Sequence, residues 1–132
     1  MVLLIYLALI ITVHPYNIDI IDPLSLTGKS PGEYFGYSTA VQRSGASRWV
    51  LVGAPTANIT LKDGTNGASW GSVYNCSSGE GDSGYQCKEV IVDNIPAVKD
   101  EVKEGQWTGV TLSVDPTTSD AVTCAHRYVS CV

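Results

Sequence analysis

Tyr34-Phe35-Gly36-Tyr37-Ser38-Thr39-Ala40-Val41, followed after a polar break by Val50-Leu51-Val52-Gly53-Ala54-Pro55, decides the fold, because its outline returns later in the chain. Phe35 to Val41 aligns with Thr108-Gly109-Val110-Thr111-Leu112-Ser113-Val114 at an offset of 73 residues. Val50 to Ala54 aligns with Val122-Thr123-Cys124-Ala125-His126 at an offset of 72. Self-similarity at a fixed period is the signature of repeat architectures, in which each unit buries its apolar face only by stacking on a neighbour. Each copy sets an aromatic residue one or two places before a glycine, runs through a strand of small residues, turns, and enters an apolar strand ending in Gly or Ala. Small residues there suit strands crowded round a central axis, where another backbone approaches closely. A four-stranded unit of this kind is a β-propeller blade, so the fold class is all-β, a partial propeller.

The rest of the chain agrees. No stretch after residue 16 sustains an apolar period near 3.6, whereas short β-branched and aromatic runs recur between clusters of Gly, Pro, Asn and Asp. Strands are expected at 34–42, 49–53, 72–76, 87–93, 107–114 and 121–128. Pro55, Asp63-Gly64, Asn66-Gly67, the run from Gly79 to Gly84 and Asp115-Pro116 supply turns. The charged segment from Asn94 to Glu104 is expected to be a surface loop.

Composition narrows the function. Of 132 residues, 44% are hydrophobic and 16% charged, which excludes an intrinsically disordered chain. Eight Lys plus Arg against 13 Asp plus Glu give a net charge of −5, which argues against a nucleic-acid partner. Residues 2–13 (VLLIYLALIITV) are too few to span a bilayer, which takes about 20 residues, but match the apolar region of a secretory signal peptide. The competing reading is a buried N-terminal strand. Residues 1–15 are therefore expected to be a signal peptide, and 16–132 the secreted portion.

An oxidising compartment gives the four cysteines a default meaning. Cys76 and Cys87 flank a Ser/Gly/Glu/Asp loop, and a bridge there would contribute roughly 2 to 3 kcal/mol in the chain-entropy model. Cys124 and Cys131 are a second pairing on weaker grounds. A zinc site is disfavoured, because there is no CxxC and only His126 lies nearby. Asn58-Ile59-Thr60 and Asn75-Cys76-Ser77 are N-glycosylation sequons, consistent with secretion.

Tyr34 to Ser38 followed by Leu51-Val52-Gly53-Ala54-Pro55 resembles the FG-GAP repeat of integrin alpha subunits, and Tyr16-Asn17-Ile18-Asp19 is similar to their mature start. Downstream, Gly71 to Cys76, Asp93-Asn94, Gln106 to Thr111 and Val122 to Tyr128 resemble the laminin-binding branch of that family. The resemblance covers almost everything from Tyr16 to Tyr128. It implies a seven-bladed propeller with an N-terminal strand region at 16–33, blade one at 34–94, a connecting loop at 95–105 and an incomplete blade two at 106–132. The repeat-motif positions are Phe35, Gly36, Gly53, Ala54, Pro55, Trp107, Gly109, Cys124, Ala125, His126, Arg127 and Tyr128. It also implies the Cys76–Cys87 bridge, an integrin beta subunit as partner, an extracellular matrix ligand of laminin type, and a place at the cell surface. Calcium is expected only in later blades, so no cofactor is expected in this segment. Family members place a longer loop between Tyr128 and the next cysteine, which leaves the Cys124–Cys131 pairing open. The short interval points to a truncated or alternatively spliced product, or an incomplete gene model, entering the secretory pathway without an anchor.

Enzyme readings fare poorly. Gly81-Asp82-Ser83-Gly84 and the Cys124-Ala125-His126 segment are similar to trypsin-like protease motifs. The order is wrong for that class, where His precedes Ser, and Tyr85 breaks the motif. Asp63-Gly64-Thr65-Asn66-Gly67 lacks alternating calcium ligands and fits a turn. His126 is expected to be a partly buried structural imidazole. Trp49, Trp70 and Trp107 fit core or inter-blade packing better than a carbohydrate shelf. The leading expectation is a non-enzymatic adhesion receptor subunit. The alternatives are a freestanding secreted binding module or decoy and, remotely, a small secreted hydrolase.

Overall fold

A computed structural model describes residues 25–78 and 85–130. The expected signal peptide at 1–15, the Tyr16 start, the Gly81–Gly84 motif and Cys131 lie outside the described residues. Among the described residues there is no helix. The strands are β1 (Ser38–Ser44), β2 (Ser47–Ala54), β3 (Ile59–Thr60), β4 (Asn66–Gly67), β5 (Ser72–Ser78), β6 (Tyr85–Val90), β7 (Glu101–Val102), β8 (Thr108–Val114), β9 (Ala121–Ala125) and β10 (Val129–Ser130).

The first unit is a four-stranded antiparallel sheet in the order β1-β2-β5-β6, a propeller-blade meander. Gly45 and Ala46 make the two-residue turn between β1 and β2, and Gly45 takes the positive φ (58°) that a tight hairpin needs at its first position. The register sets Ser38 opposite Gly53, Val50 opposite Cys76, and Cys76 opposite Cys87, so the disulfide staples β5 to β6 across the ladder. β2 is buried from Leu51 to Ala54 without alternation, as expected of a central strand covered on both faces. One face joins Val52, Ala54, Tyr74 and Cys76 with the partly buried Leu26 and Phe35. The Phe35 ring meets Tyr74 edge-on, with centroids 5.3 Å apart.

The other face of β2 meets the second unit, the β8-β9 hairpin. Contact is close enough to require glycine: a Cβ on Gly53 would run into the Gly109 carbonyl, and one on Gly109 would lie 2.5 Å from the Ser72 oxygen. Ser38 Oγ donates to the Gly109 oxygen at 2.7 Å, and the Thr108 amide donates to Trp70 O at 2.9 Å. These bonds dock the second hairpin on the first sheet.

Several element boundaries differ from expectation. Residues 34–37 form a turn because Tyr34 and Gly36 take positive φ (53° and 92°), and β1 starts only at Ser38. β6 runs Tyr85–Val90 and stops before Ile91, which is 73% exposed. β9 ends at Ala125, where a turn bonds the Tyr128 amide to the Ala125 oxygen. Asn66-Gly67, expected as a turn, pairs with β3, and Glu101–Val102 within the expected surface loop pairs with Val129–Ser130.

Candidate interaction surface

The repeat is visible in the backbone at one end of the strands. Tyr34 and Trp107, 73 positions apart, are both bulky residues in the left-handed region, at φ 53° and 65°. Two residues on, Gly36 and Gly109 take φ 92° and 89°. Each aromatic carbonyl accepts a bond from the amide three residues later, Tyr37 N to Tyr34 O at 3.1 Å and Val110 N to Trp107 O at 3.2 Å. A left-handed non-glycine residue costs on the order of 1 kcal/mol or more, so each must be held by its surroundings. Neighbours of Tyr34 do so through Gly36 N to Gly53 O (3.1 Å) and Thr56 N to Glu33 O (3.3 Å). Beside Trp107, Gln106 is buried, takes the Arg127 amide on its carbonyl at 3.2 Å, and donates from Nε2 to Thr108 Oγ1 at 3.0 Å.

These turns aim aromatic rings at solvent and at each other. Tyr34 and Tyr37 are 58% and 57% exposed. Tyr37 meets Trp107 edge-on across the seam between the units, with centroids 6.2 Å apart. Trp107 in turn contacts His126 at 5.6 Å, and the Arg127 guanidinium stands 5.4 Å from its ring centroid. His126 is exposed, which corrects the expectation of a partly buried imidazole: the chain turns outward after Ala125, and the ring rests on Trp107. Tyr, Trp and Arg are the residues enriched at binding hot spots, and here they form one patch from two repeats.

A charged clasp secures the segment leading into Trp107. Lys103 is 8% exposed, and its ammonium lies 3.1 Å from Asp93 Oδ2, donates to Ile95 O at 3.1 Å, and stands 5.5 Å from the centroid of the buried Trp70 ring. Glu101 Oε2 accepts from the Val98 amide at 3.1 Å, and its Oε1 accepts from the Tyr128 hydroxyl at 2.8 Å. The first of those bonds, then the second, holds the Glu101 carboxyl below its ordinary value, and the Glu101 bond raises the Tyr128 hydroxyl. Burial, then the charges of Glu33 and Glu89, pushes the Tyr74 hydroxyl up.

The remaining expected positions fall apart in space. Gly53, Ala54 and Pro55 are buried in and after β2. Cys76 and Cys87 are joined, while Cys124 is exposed on β9 and forms no disulfide among the described residues. Asn58 is exposed and accepts from the Ser69 amide at 2.9 Å, and Asn75 is half-buried in mid β5. Asp63 uses its carboxylate to close its own turn, accepting from the Thr65 amide and hydroxyl, which lowers its pKa. Tyr34 and Tyr37 escape a sequence reading that takes 34–42 as strand; an aromatic two places before each repeat glycine is a signal that marks Tyr34 and Trp107, but not Tyr37.

No family model matches the chain. It is 30% identical to integrin alpha-4 of Xenopus laevis over 132 residues, covering 96% of this chain and 12% of the relative. It is 35% identical to integrin alpha-7 of Rattus norvegicus over 118 residues (87% and 10%) and 35% identical to integrin alpha-6 of Gallus gallus over 116 residues (86% and 10%). The chain thus spans only 10 to 12% of the length of these relatives.

Proposed function

From a chain of the integrin alpha type, we infer a non-enzymatic role in cell adhesion, in which it pairs with an integrin beta subunit at the cell surface. The observation that carries this is the patch at the seam of two repeat units, where exposed Tyr37, His126 and Arg127 surround a half-buried Trp107. Ordinary folding disfavours two left-handed bulky aromatics at the same repeat position, yet Tyr34 and Trp107 are both held there, the first exposed and the second half-buried. A partner that buries those rings gives the strain a use. The resemblance of residues 106–111 and 122–128 to the laminin-binding branch supports a laminin-type matrix ligand. On this reading residues 34–94 and 106–132 belong to successive blades of one propeller.

Co-expression of the chain with an integrin beta ectodomain in secretory cells tests it. The beta subunit is expected to co-purify, and Trp107→Asn, which removes the ring while tolerating the left-handed backbone, is expected to reduce capture by roughly thirtyfold, a hot-spot loss of about 2 kcal/mol. Val41→Ala, at an exposed site in β1, is expected to leave capture unchanged. Absence of capture, or equal capture of the Trp107→Asn variant, refutes the assignment.

A further inference from the structure

Asn58-Ile59-Thr60 and Asn75-Cys76-Ser77 are equivalent as sequons, but the fold treats them differently. From residue 58 to 61 exposure alternates, as along any half-buried strand. Ile59 and Leu61, 7% and 8% exposed, pack with Trp70, whereas Asn58 and Thr60 face solvent. The period of two therefore presents together the two groups the sequon needs, the Asn58 amide and the Thr60 hydroxyl. Asn58 Oδ1 accepts from the Ser69 amide at 2.9 Å, which anchors the carboxamide by its oxygen and leaves Nδ2 as the reacting atom. Beside it a cavity of about 290 Å³, lined in part by Ser30, Gly32, Thr56 and Ser69, leaves room for a sugar.

Asn75 has the opposite setting. It is half-buried in mid β5, opposite Leu51 on one neighbouring strand and Lys88 on the other. With Leu51, Leu112 and Val122 it lines the groove between the first sheet and the β8-β9 hairpin. Cys76, the middle residue of its sequon, is fully buried and bonded to Cys87.

We propose that the folded chain carries an N-linked glycan on Asn58 and none on Asn75. Nδ2 of Asn58 forms a bond to the anomeric carbon of an N-acetylglucosamine carried on a polyprenyl diphosphate. The bond from that carbon to the diphosphate oxygen breaks, the diphosphate leaves with the electron pair, and one of the two Nδ2 protons passes to solvent. A bulky, hydrated glycan belongs on the surface, where Asn58 stands. On Asn75 the same glycan would have to lie between the two units, against Leu112 and Val122, and would hold the β8-β9 hairpin off the first sheet. Passage through the secretory pathway is all that the modification requires; pairing with a beta subunit is not needed.

The full 132-residue chain, expressed in secretory eukaryotic cells, is to be treated with peptide N-glycosidase in heavy-oxygen water and read by peptide mass spectrometry. The enzyme converts each glycosylated asparagine to a labelled aspartate. In secreted chains the label is expected at Asn58 and not at Asn75. Thr60→Ala, which keeps Asn58 and its bond to Ser69 but breaks the sequon, is expected to abolish the enzyme-sensitive shift in gel mobility. Ser77→Ala, which breaks the other sequon, is expected to leave that shift unchanged. Label at Asn75, no label at Asn58, or a shift that persists in Thr60→Ala overturns the proposal. Should no chain leave the cell, the soluble chains retained inside it are read by the same three criteria.

Discussion

Gly36 and Gly109 share a conformation, φ 92° and 89°, but not an environment. A Cβ on Gly36 would meet nothing within 4 Å, whereas one on Gly109 would meet the Ser72 oxygen at 2.5 Å and the Gly53 Cα at 3.2 Å. Gly36→Ala therefore costs backbone strain alone, about 1 to 2 kcal/mol. Gly109→Ala adds a collision between backbones, which cannot step aside as a flexible side chain can, and it pushes the β8-β9 hairpin off the first sheet. The Thr108 amide, bonded to Trp70 O, reports that separation. Its hydrogen exchange is expected to accelerate at least about tenfold more in Gly109→Ala than in Gly36→Ala, a difference of about 1.4 kcal/mol. Equal acceleration in the two variants would show that the approach of Gly53 to Gly109 does not hold the units together.

Strands with strong β-branched content were legible from sequence because their pattern and their burial have one cause. The segment from Val50 to Ala54 is apolar throughout, and β2 is covered on both faces. The turn at 34–37 was not legible in that way: Tyr34, Phe35 and Tyr37 have strand-like side chains, and the positive φ of Tyr34 and Gly36 comes from bonds to Glu33 and Gly53 neighbours that local pattern does not reveal. The clasp over Trp70 was hidden for a related reason, since Trp70, Asp93, Glu101 and Lys103 meet only through tertiary structure. This clasp is expected to respond to acid. Glu101 has a depressed pKa in the folded chain, so its contribution is complete above the unfolded pKa and is lost as pH falls through the folded one. Protection of the Val98 amide, corrected for intrinsic exchange, is expected to hold at neutral pH and to fall below about pH 4. Lys103→Met leaves Asp93 without its partner and is expected to weaken the segment by about 1.5 to 3 kcal/mol at neutral pH, read by the same amide. Protection unchanged between neutral pH and pH 3 would remove Glu101 from the clasp.

At the scale of the molecule, two buried clusters of modest size support sheets whose outer parts remain wet. Val52, Ala54, Ala57, Tyr74 and Cys76 form one cluster, and Ile59, Leu61 and Trp70 the other. Against them stand Ile91 at 73%, Val98 at 63%, Val122 at 61% and Ile95 at 60% exposure. Covering one such side chain stabilises by about 1.5 to 3 kcal/mol, so the chain alone forgoes several contributions of that size. Units that contribute to each other's core only through one seam unfold as a set of local equilibria, with cooperativity set by the interface between neighbours. The β8-β9 hairpin has one such seam and no disulfide among its described residues, whereas the first sheet carries the Cys76–Cys87 staple. The hairpin is therefore expected to melt first and the stapled sheet later, so that residues 16–132 secreted alone give a broad transition. Far-ultraviolet circular dichroism follows both sheets, while hydrogen exchange of the Thr108 and Val52 amides follows them separately. The two amides are expected to lose protection at different temperatures, and reduction of the disulfide is expected to bring them together by weakening the first sheet by roughly 2 to 3 kcal/mol. A sharp two-state melt of a monodisperse monomer, with both amides exposed in one step, would mean that the chain is a self-sufficient binding module whose apolar rim needs no partner.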